Sequence, residues 1–177
     1  MADHRMTATS YLVLGLLADA PATSYQLKRR VAVSVGNFWE FAHSQLYDEP
    51  LRLAEAGLVR TNAETRGRRR RTYTITDAGR AALTAWLAEP TLGRTDVRDP
   101  GLLKLFFARY ATSADVRNIA ADQYRAHRER AEQYEHLHKV LAGAADRWQL
   151  KSLELGIRYE RTVEGFWADL LAELPEA

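Results

Sequence analysis

Between Arg71 and Thr76 the chain reads RTYTIT, polar and apolar residues in alternation, and a helix start, DAGRAAL, follows at once. Period-two alternation puts Tyr73 and Ile75 on one face, as a half-buried strand requires. A strand needs a neighbour, because its backbone N–H and C=O groups must find partners. The candidate neighbour is LVRTN, Leu58 to Asn62, and AETRGR, a turn containing Gly67, leads from one to the other. Most of the remaining chain reads as helix. The hairpin therefore restricts the fold to a mainly α architecture with one two-stranded sheet. Its tip carries a second feature: five arginines, Arg66 and Arg68–Arg71, around one glycine.

The helices can be read from their punctuation. Residues 8–19 form an apolar helix through Leu12, Leu14, Leu16 and Leu17, and Pro21 breaks it. Ser24 is placed to cap the next helix, SYQLKRRVAVSV, which Gly36 ends. NFWEF, Asn37 to Phe41, is aromatic and is expected to pack at a corner. Ser44 is a candidate cap for a third helix, QLYDEPLRLAEA, closed by Gly57. After the hairpin, Thr76 caps a helix running to about Glu89. The order helix–helix–helix–strand–turn–strand–helix is that of a winged helix-turn-helix, so residues 1–89 are expected to form a DNA-binding domain. Residues 90–100, PTLGRTDVRDP, are polar with Gly and Pro and read as a linker. Residues 101–177 then form a helical dimerisation and effector domain. It holds a short amphipathic helix, GLLKLFFARY, a long helix capped by Ser113, a bend at Gly143 and Asp146, and a last long helix from about Arg147 to Leu174.

These residues are specific enough to carry a resemblance. LGLLADAPATSYQL in the first two helices, SQLYDEPLRLAEAGLV in the third, and GRRRRTYTITDAGRAAL in the hairpin and the following helix resemble the PadR-type transcriptional regulators. The resemblance covers about residues 9–89, and the helical remainder looks like the long dimerisation domain of one branch of that family. It implies a winged helix-turn-helix that binds a DNA operator as a homodimer and responds to a small molecule. Two departures stand out. Ser24 occupies a position where the family usually has glycine, and Tyr47-Asp48 replaces a common Tyr-Pro, with the proline moved to Pro50. A proline inside a helix removes one backbone hydrogen bond.

Composition narrows the function classes. There is no cysteine, which excludes disulfides, thiolate metal sites and cysteine nucleophiles. G-x-S-x-G, P-loop and G-x-G-x-x-G signatures are missing, so no catalytic residue and no cofactor is assigned. Carboxylate pairs such as Asp48–Glu49 are expected on exposed faces. His136 and His138 are two apart and point to different sides of a helix, so no metal site is expected. No secretory signal or membrane span is read, and YLVLGLLADA is too short to cross a bilayer, so a cytoplasmic protein is expected. Residues 1–89 hold 12 Lys+Arg against 9 Asp+Glu, and residues 90–177 hold 13 against 14. That excess is mild, and its clustering at Lys28, Arg29 and Arg30 and at the arginine run says more.

With Leu46, Leu53 and Leu58 facing the core, the third helix presents His43, Ser44, Gln45, Tyr47, Asp48 and Arg52 outward. Recognition helices offer their N-terminal residues to base edges, and glutamine can bond adenine bidentately. With Lys28, Arg66, Arg68, Arg69 and Arg70, these are the candidate DNA contacts. The bland readings are an ordinary amphipathic helix and a solvated charge run. Placement of the run at a hairpin tip favours the DNA reading. A protein–protein interaction module built on the winged helix is the alternative function.

In the C-terminal part, apolar residues recur at steps of three and four, a pattern that buries against partner helices. Tyr159, Val163, Phe166 or Trp167, Leu170 and Leu174 are expected in a dimer interface. The two long helices can pair within one chain or across a dimer. Tyr124, His127, Tyr134, Trp148 and Trp167 supply aromatic and polar surface for a flat aromatic effector, although core packing is the commoner fate of such side chains. His127 lies on the apolar seam, where a packed histidine or a sensor can stand.

Overall fold

A computed structural model of the protein describes residues 5–32, 34–37, 44–63, 71–91, 93 and 98–175. The chain divides into two compact units, Met1–Gly93 and Arg94–Ala177. The first contains helices α1 (Ala8–Asp19), α2 (Ser24–Ala32) and α3 (Gln45–Glu55), strands β1 (Val59–Ala63) and β2 (Arg71–Ile75), and helix α4 (Asp77–Ala88). This is the mainly helical winged architecture expected from the hairpin.

The strands pair antiparallel from Val59↔Ile75 to Ala63↔Arg71. Tyr73 and Ile75 are buried on one face, as their alternation predicts. Ala22, between α1 and α2, forms a one-residue bridge to Tyr73 with bonds of 3.1 and 2.9 Å. A single extended residue has no periodicity, so nothing in the sequence pattern announced it. The core joins Val13, Leu14 and Leu17 of α1, Leu27 and Val31 of α2, Leu46 and Leu53 of α3, and the sheet. Each such side chain contributes about 1.5–3 kcal/mol by leaving water.

Local signals explain most element ends. Gly57 takes φ +75, and the amides of Gly57 and Leu58 bond back to Ala54 and Leu53. That double closure satisfies the last carbonyls of α3 and needs the left-handed conformation glycine tolerates. Thr76 caps α4, accepting from the Gly79 amide at 3.1 Å and donating to the Gly57 carbonyl at 2.9 Å. A Cβ on Gly79 would stand 2.2 Å from the Leu58 carbonyl, so the strand end and α4 meet backbone to backbone there.

Three caps differ from expectation. Thr23, not Ser24, caps α2: its hydroxyl accepts from the Gln26 amide while Gln26 Oε1 accepts from the Thr23 amide. The bridge at Ala22 holds the chain extended up to that point, which moves the helix start. Ser44 has helical backbone angles, φ −58 and ψ −36, and makes no side-chain cap bond. A cap needs an extended backbone to aim its oxygen at the first turn. In the second unit Thr112, not Ser113, caps α6 and forms a reciprocal box with Asp115. Pro50 lies fully buried inside α3, which continues through it.

The second unit contains α5 (Pro100–Phe106), α6 (Ser113–Leu141) and α7 (Arg147–Glu173). Asp99 and Asp146 cap α5 and α7 through their carboxylates. Helices α6 and α7 pair within the one chain as an antiparallel hairpin. His127 meets Glu160, Tyr134 lies beside Gly156, and Arg161 bonds Glu135. The Arg117 guanidinium donates to the Leu174 carbonyl at 2.6 Å and so closes the free end of α7. Among the described residues, no helix is long and apolar enough to cross a membrane.

Candidate nucleic-acid interface

Helix α3 has a sharply divided surface. Leu46 and Leu53 are fully buried, whereas Ser44, Gln45, Tyr47, Asp48 and Arg52 are exposed. Gln45, Asp48 and Arg52 recur at steps of three and four and form one outward strip. Gln45 Oε1 accepts from the Thr9 hydroxyl of α1 at 3.4 Å, which leaves its amide nitrogen to donate. His43 lies outside the described residues, so no geometry attaches to that candidate.

Glu49 corrects the expectation that the Asp48–Glu49 pair is solvated. Asp48 is exposed, but Glu49 keeps only 4% of its surface and points into the domain. Its Oε1 accepts from the fully buried Ser10 hydroxyl at 2.5 Å, and its Oε2 accepts from the Arg52 guanidinium at 2.8 Å. Successive helix residues point about a quarter-turn apart, which is why the pair splits between solvent and core.

The basic cluster of α2 also divides. Arg30 donates to the carbonyls of Leu16 at 2.9 Å and Ala20 at 2.8 Å, so it closes the end of α1. Arg29 is exposed and Lys28 half-buried, and Tyr25 is exposed one turn before them. In the hairpin, Arg71 is exposed on the same side as Tyr73 and Ile75, beyond the core. Arg66, Arg68, Arg69 and Arg70 lie outside the described residues, between strands whose pairing reaches Ala63↔Arg71.

The second unit holds the other candidates. Along α7, Leu155, Tyr159 and Phe166 are exposed, and Val163, Leu170 and Leu174 are half-buried. Trp167 does not belong to this outward seam: it is fully buried within the single chain, and Phe166 stands edge-on to it at 5.1 Å. The adjacent position on a helix points elsewhere, which resolves the choice between Phe166 and Trp167 in favour of Phe166 as the outward residue. The five aromatic and polar candidates do not converge either. At roughly 1.5 Å rise per residue, Trp148 and Trp167 lie about 28 Å apart along α7. Trp148 is exposed beneath the Arg147 guanidinium. His127 is buried, with Nδ1 2.5 Å from Glu160 Oε2, and Arg130 donates to the same oxygen at 3.2 Å. Tyr134 is near this group, and burial, with Glu160 beside it, pushes its phenol above the usual range. Tyr124 is half-buried one turn before His127.

Residues 13–85 match the transcriptional regulator PadR-like family, and residues 97–174 match the family described as virulence activator alpha C-term. Residues 13–85 form a PadR-like domain. The negative transcriptional regulator PadR of Bacillus subtilis is 25% identical over 153 residues, covering 85% of this chain and 84% of that protein. A crystal structure of Bacillus subtilis PadR in complex with operator DNA superposes with a TM-score of 0.85 at 22% identity, over 96% of this chain and 99% of the other. The Vibrio cholerae virulence activator AphA superposes at 0.71 and is 27% identical, over 94% and 97%. A further structure of Bacillus subtilis PadR contains p-coumaric acid.

The pairing of Ser10 with Glu49 and the withdrawal of Arg30 from the basic cluster are features that the sequence pattern does not show. No local pattern could have paired Ser10 with Glu49.

Proposed function

We propose that the protein is a homodimeric PadR-like repressor, working in the cytoplasm without catalytic activity. It binds a two-fold DNA operator through α3 and the hairpin, and releases it when a small aromatic molecule binds the C-terminal unit. The observation that carries the reading is the outward strip Gln45, Asp48 and Arg52 on a helix braced from inside by α1. Exposed polar side chains on a rigid helix are what base-edge recognition in the major groove needs. Ser44 and Tyr47 flank the strip, with Lys28 and Arg29 on α2 and the arginines of the hairpin supplying charge for phosphates. The apolar seam of Tyr159, Val163, Phe166, Leu170 and Leu174 supports assembly through α7, since a two-fold operator matches a two-fold protein. For the effector, Tyr124, His127 and Tyr134 are the supported candidates, and the p-coumaric acid complex of Bacillus subtilis PadR supports a planar aromatic ligand.

Selection of duplexes from a random-sequence library with the full chain tests this. The enriched sequences should be two-fold symmetric, and gel shifts should show a dimer on each. Absence of enrichment would remove the reading and favour a protein-binding module.

A further inference from the structure

Glu49 is a carboxylate in the wrong place for mere solubility. It is 4% exposed, on the inward side of α3, between Leu46 and Leu53, which are fully buried. Taking such a group out of water costs several kcal/mol, so its partners must hold it closely. Those partners form a chain of hydrogen bonds. The Thr7 amide donates to Ser10 Oγ at 2.9 Å, and Ser10 Oγ donates to Glu49 Oε1 at 2.5 Å. Glu49 Oε2 then accepts from Arg52 at 2.8 Å. A hydroxyl has one proton to give, and Ser10 gives it to Glu49. The start of α1 thereby fixes one oxygen of the carboxylate, and the other oxygen fixes a guanidinium whose side chain is still 45% exposed. Thr9, the residue before Ser10, bonds Gln45 on the same helix.

We infer that Glu49 is a positioning residue for DNA specificity: anchored by Ser10, it aims Arg52 at base edges from within the domain. The inference rests on the DNA-binding reading above. A leucine at position 49 would satisfy the core more simply, and Arg52 on an exposed helix face would then wander among its rotamers. Held by one nitrogen to Glu49, the guanidinium samples fewer orientations. Restricted orientation favours bidentate recognition of guanine. The carboxylate also offsets the charge of Arg52, which lowers its attraction to phosphates anywhere along a duplex. Both effects favour sequence over charge.

The test uses the full chain and two duplexes: the one it enriches from a random library, and a scrambled duplex of equal length. Glu49→Gln keeps the shape and removes the charge. It should weaken the selected duplex about tenfold, within the range of one good bidentate contact. Binding to the scrambled duplex should be unchanged or tighter, since the negative charge that offsets Arg52 has been removed. Arg52→Ala should weaken the selected duplex similarly, and the double variant should be no worse than Arg52→Ala alone, because coupled residues are not additive. Glu49→Leu combined with Ser10→Ala guards against a folding artefact, since it removes both buried partners together. Replacing a buried polar pair as a whole by apolar groups of similar volume is often neutral or stabilising. That variant should therefore melt no lower than wild type and still lose its preference. A merely structural role would move stability and both affinities together. An unchanged preference in Glu49→Gln, or additive losses with Arg52→Ala, would overturn the positioning role while leaving the DNA-binding reading intact. A wild-type protein that binds both duplexes alike would overturn both.

Discussion

Thr112 and Asp115 illustrate how a pair of exposed residues sets a helix start and a pH response. The Asp115 carboxylate accepts from the Thr112 hydroxyl at 2.6 Å and from the Thr112 amide at 3.1 Å, and the Thr112 hydroxyl accepts from the Asp115 amide. The hydroxyl bond, then the amide bond, hold Asp115 below its ordinary pKa of 3.8. A carboxyl whose pKa is lowered on folding stabilises the fold above its unfolded value, and that contribution disappears as pH falls through the folded value. Asp115→Asn should therefore melt lower than wild type at neutral pH, and the gap should narrow only as pH falls below 3.8. Circular-dichroism melts at several pH values check this, and a gap independent of pH would refute it. The same pair shows a limit of reading: Thr112 and Ser113 are both good caps by type, and only the backbone angle at Thr112, φ −77 and ψ 159, decides between them.

Helix α7 serves two environments with adjacent residues. Trp167 is fully buried in the single chain, whereas Phe166 is 47% exposed. Truncating the two should have different consequences. Trp167→Ala leaves a large void and should cost about 3–5 kcal/mol of folding stability. Phe166→Ala should leave α6 and α7 folded and instead shift the protein toward monomer on dilution. Urea unfolding followed by helicity, together with sedimentation across concentrations, separates the two effects. Equal loss of folding stability in both variants would show that the outward seam is not an interface. His127 and Glu160 belong to the inner face, and Arg130 reaches Glu160 from the exposed edge, a polar pairing between α6 and α7 more specific than apolar contacts alone.

Under the proposed reading of a dimer on DNA, charge is counted per dimer. Strand pairing reaches Ala63↔Arg71, and Arg66, Arg68, Arg69 and Arg70 fall between those two positions in the sequence, outside the described residues. Each phosphate contact contributes about −0.9 to the slope of log affinity against log salt. Alternate residues of a strand point to opposite faces, so not every arginine can face one duplex. Replacing Arg68, Arg69 and Arg70 with alanine should flatten the slope by roughly two to four units in a dimer. The affinity loss should be similar for selected and scrambled duplexes, because phosphates carry no direct sequence information. Salt titrations of both duplexes check this. An unchanged slope would mark the run as a solvated tip. The contrast with Glu49→Gln is the useful one, since that variant should alter preference while barely changing the slope.

The sequence by itself determined what depends on neighbours along the chain. The alternation of RTYTIT placed Tyr73 and Ile75 inward, Thr76 marked the start of α4, Gly57 the end of α3, and a three-and-four spacing the apolar seams. These signals are local, because a cap, a turn or a helix face is settled within about four residues. Tertiary structure alone decided the rest. Ala22 became a strand partner only because Tyr73 lies beside it. Arg30 was withdrawn from the basic surface because the open carbonyls of α1 lie within its reach. Glu49 went inward because Ser10 meets it from a helix 39 residues away in sequence, and Trp167 inward because its side of α7 is the covered one. Which face of an element is covered, and which polar group it meets there, depends on docking between segments distant in the chain. No periodicity within one segment encodes that choice.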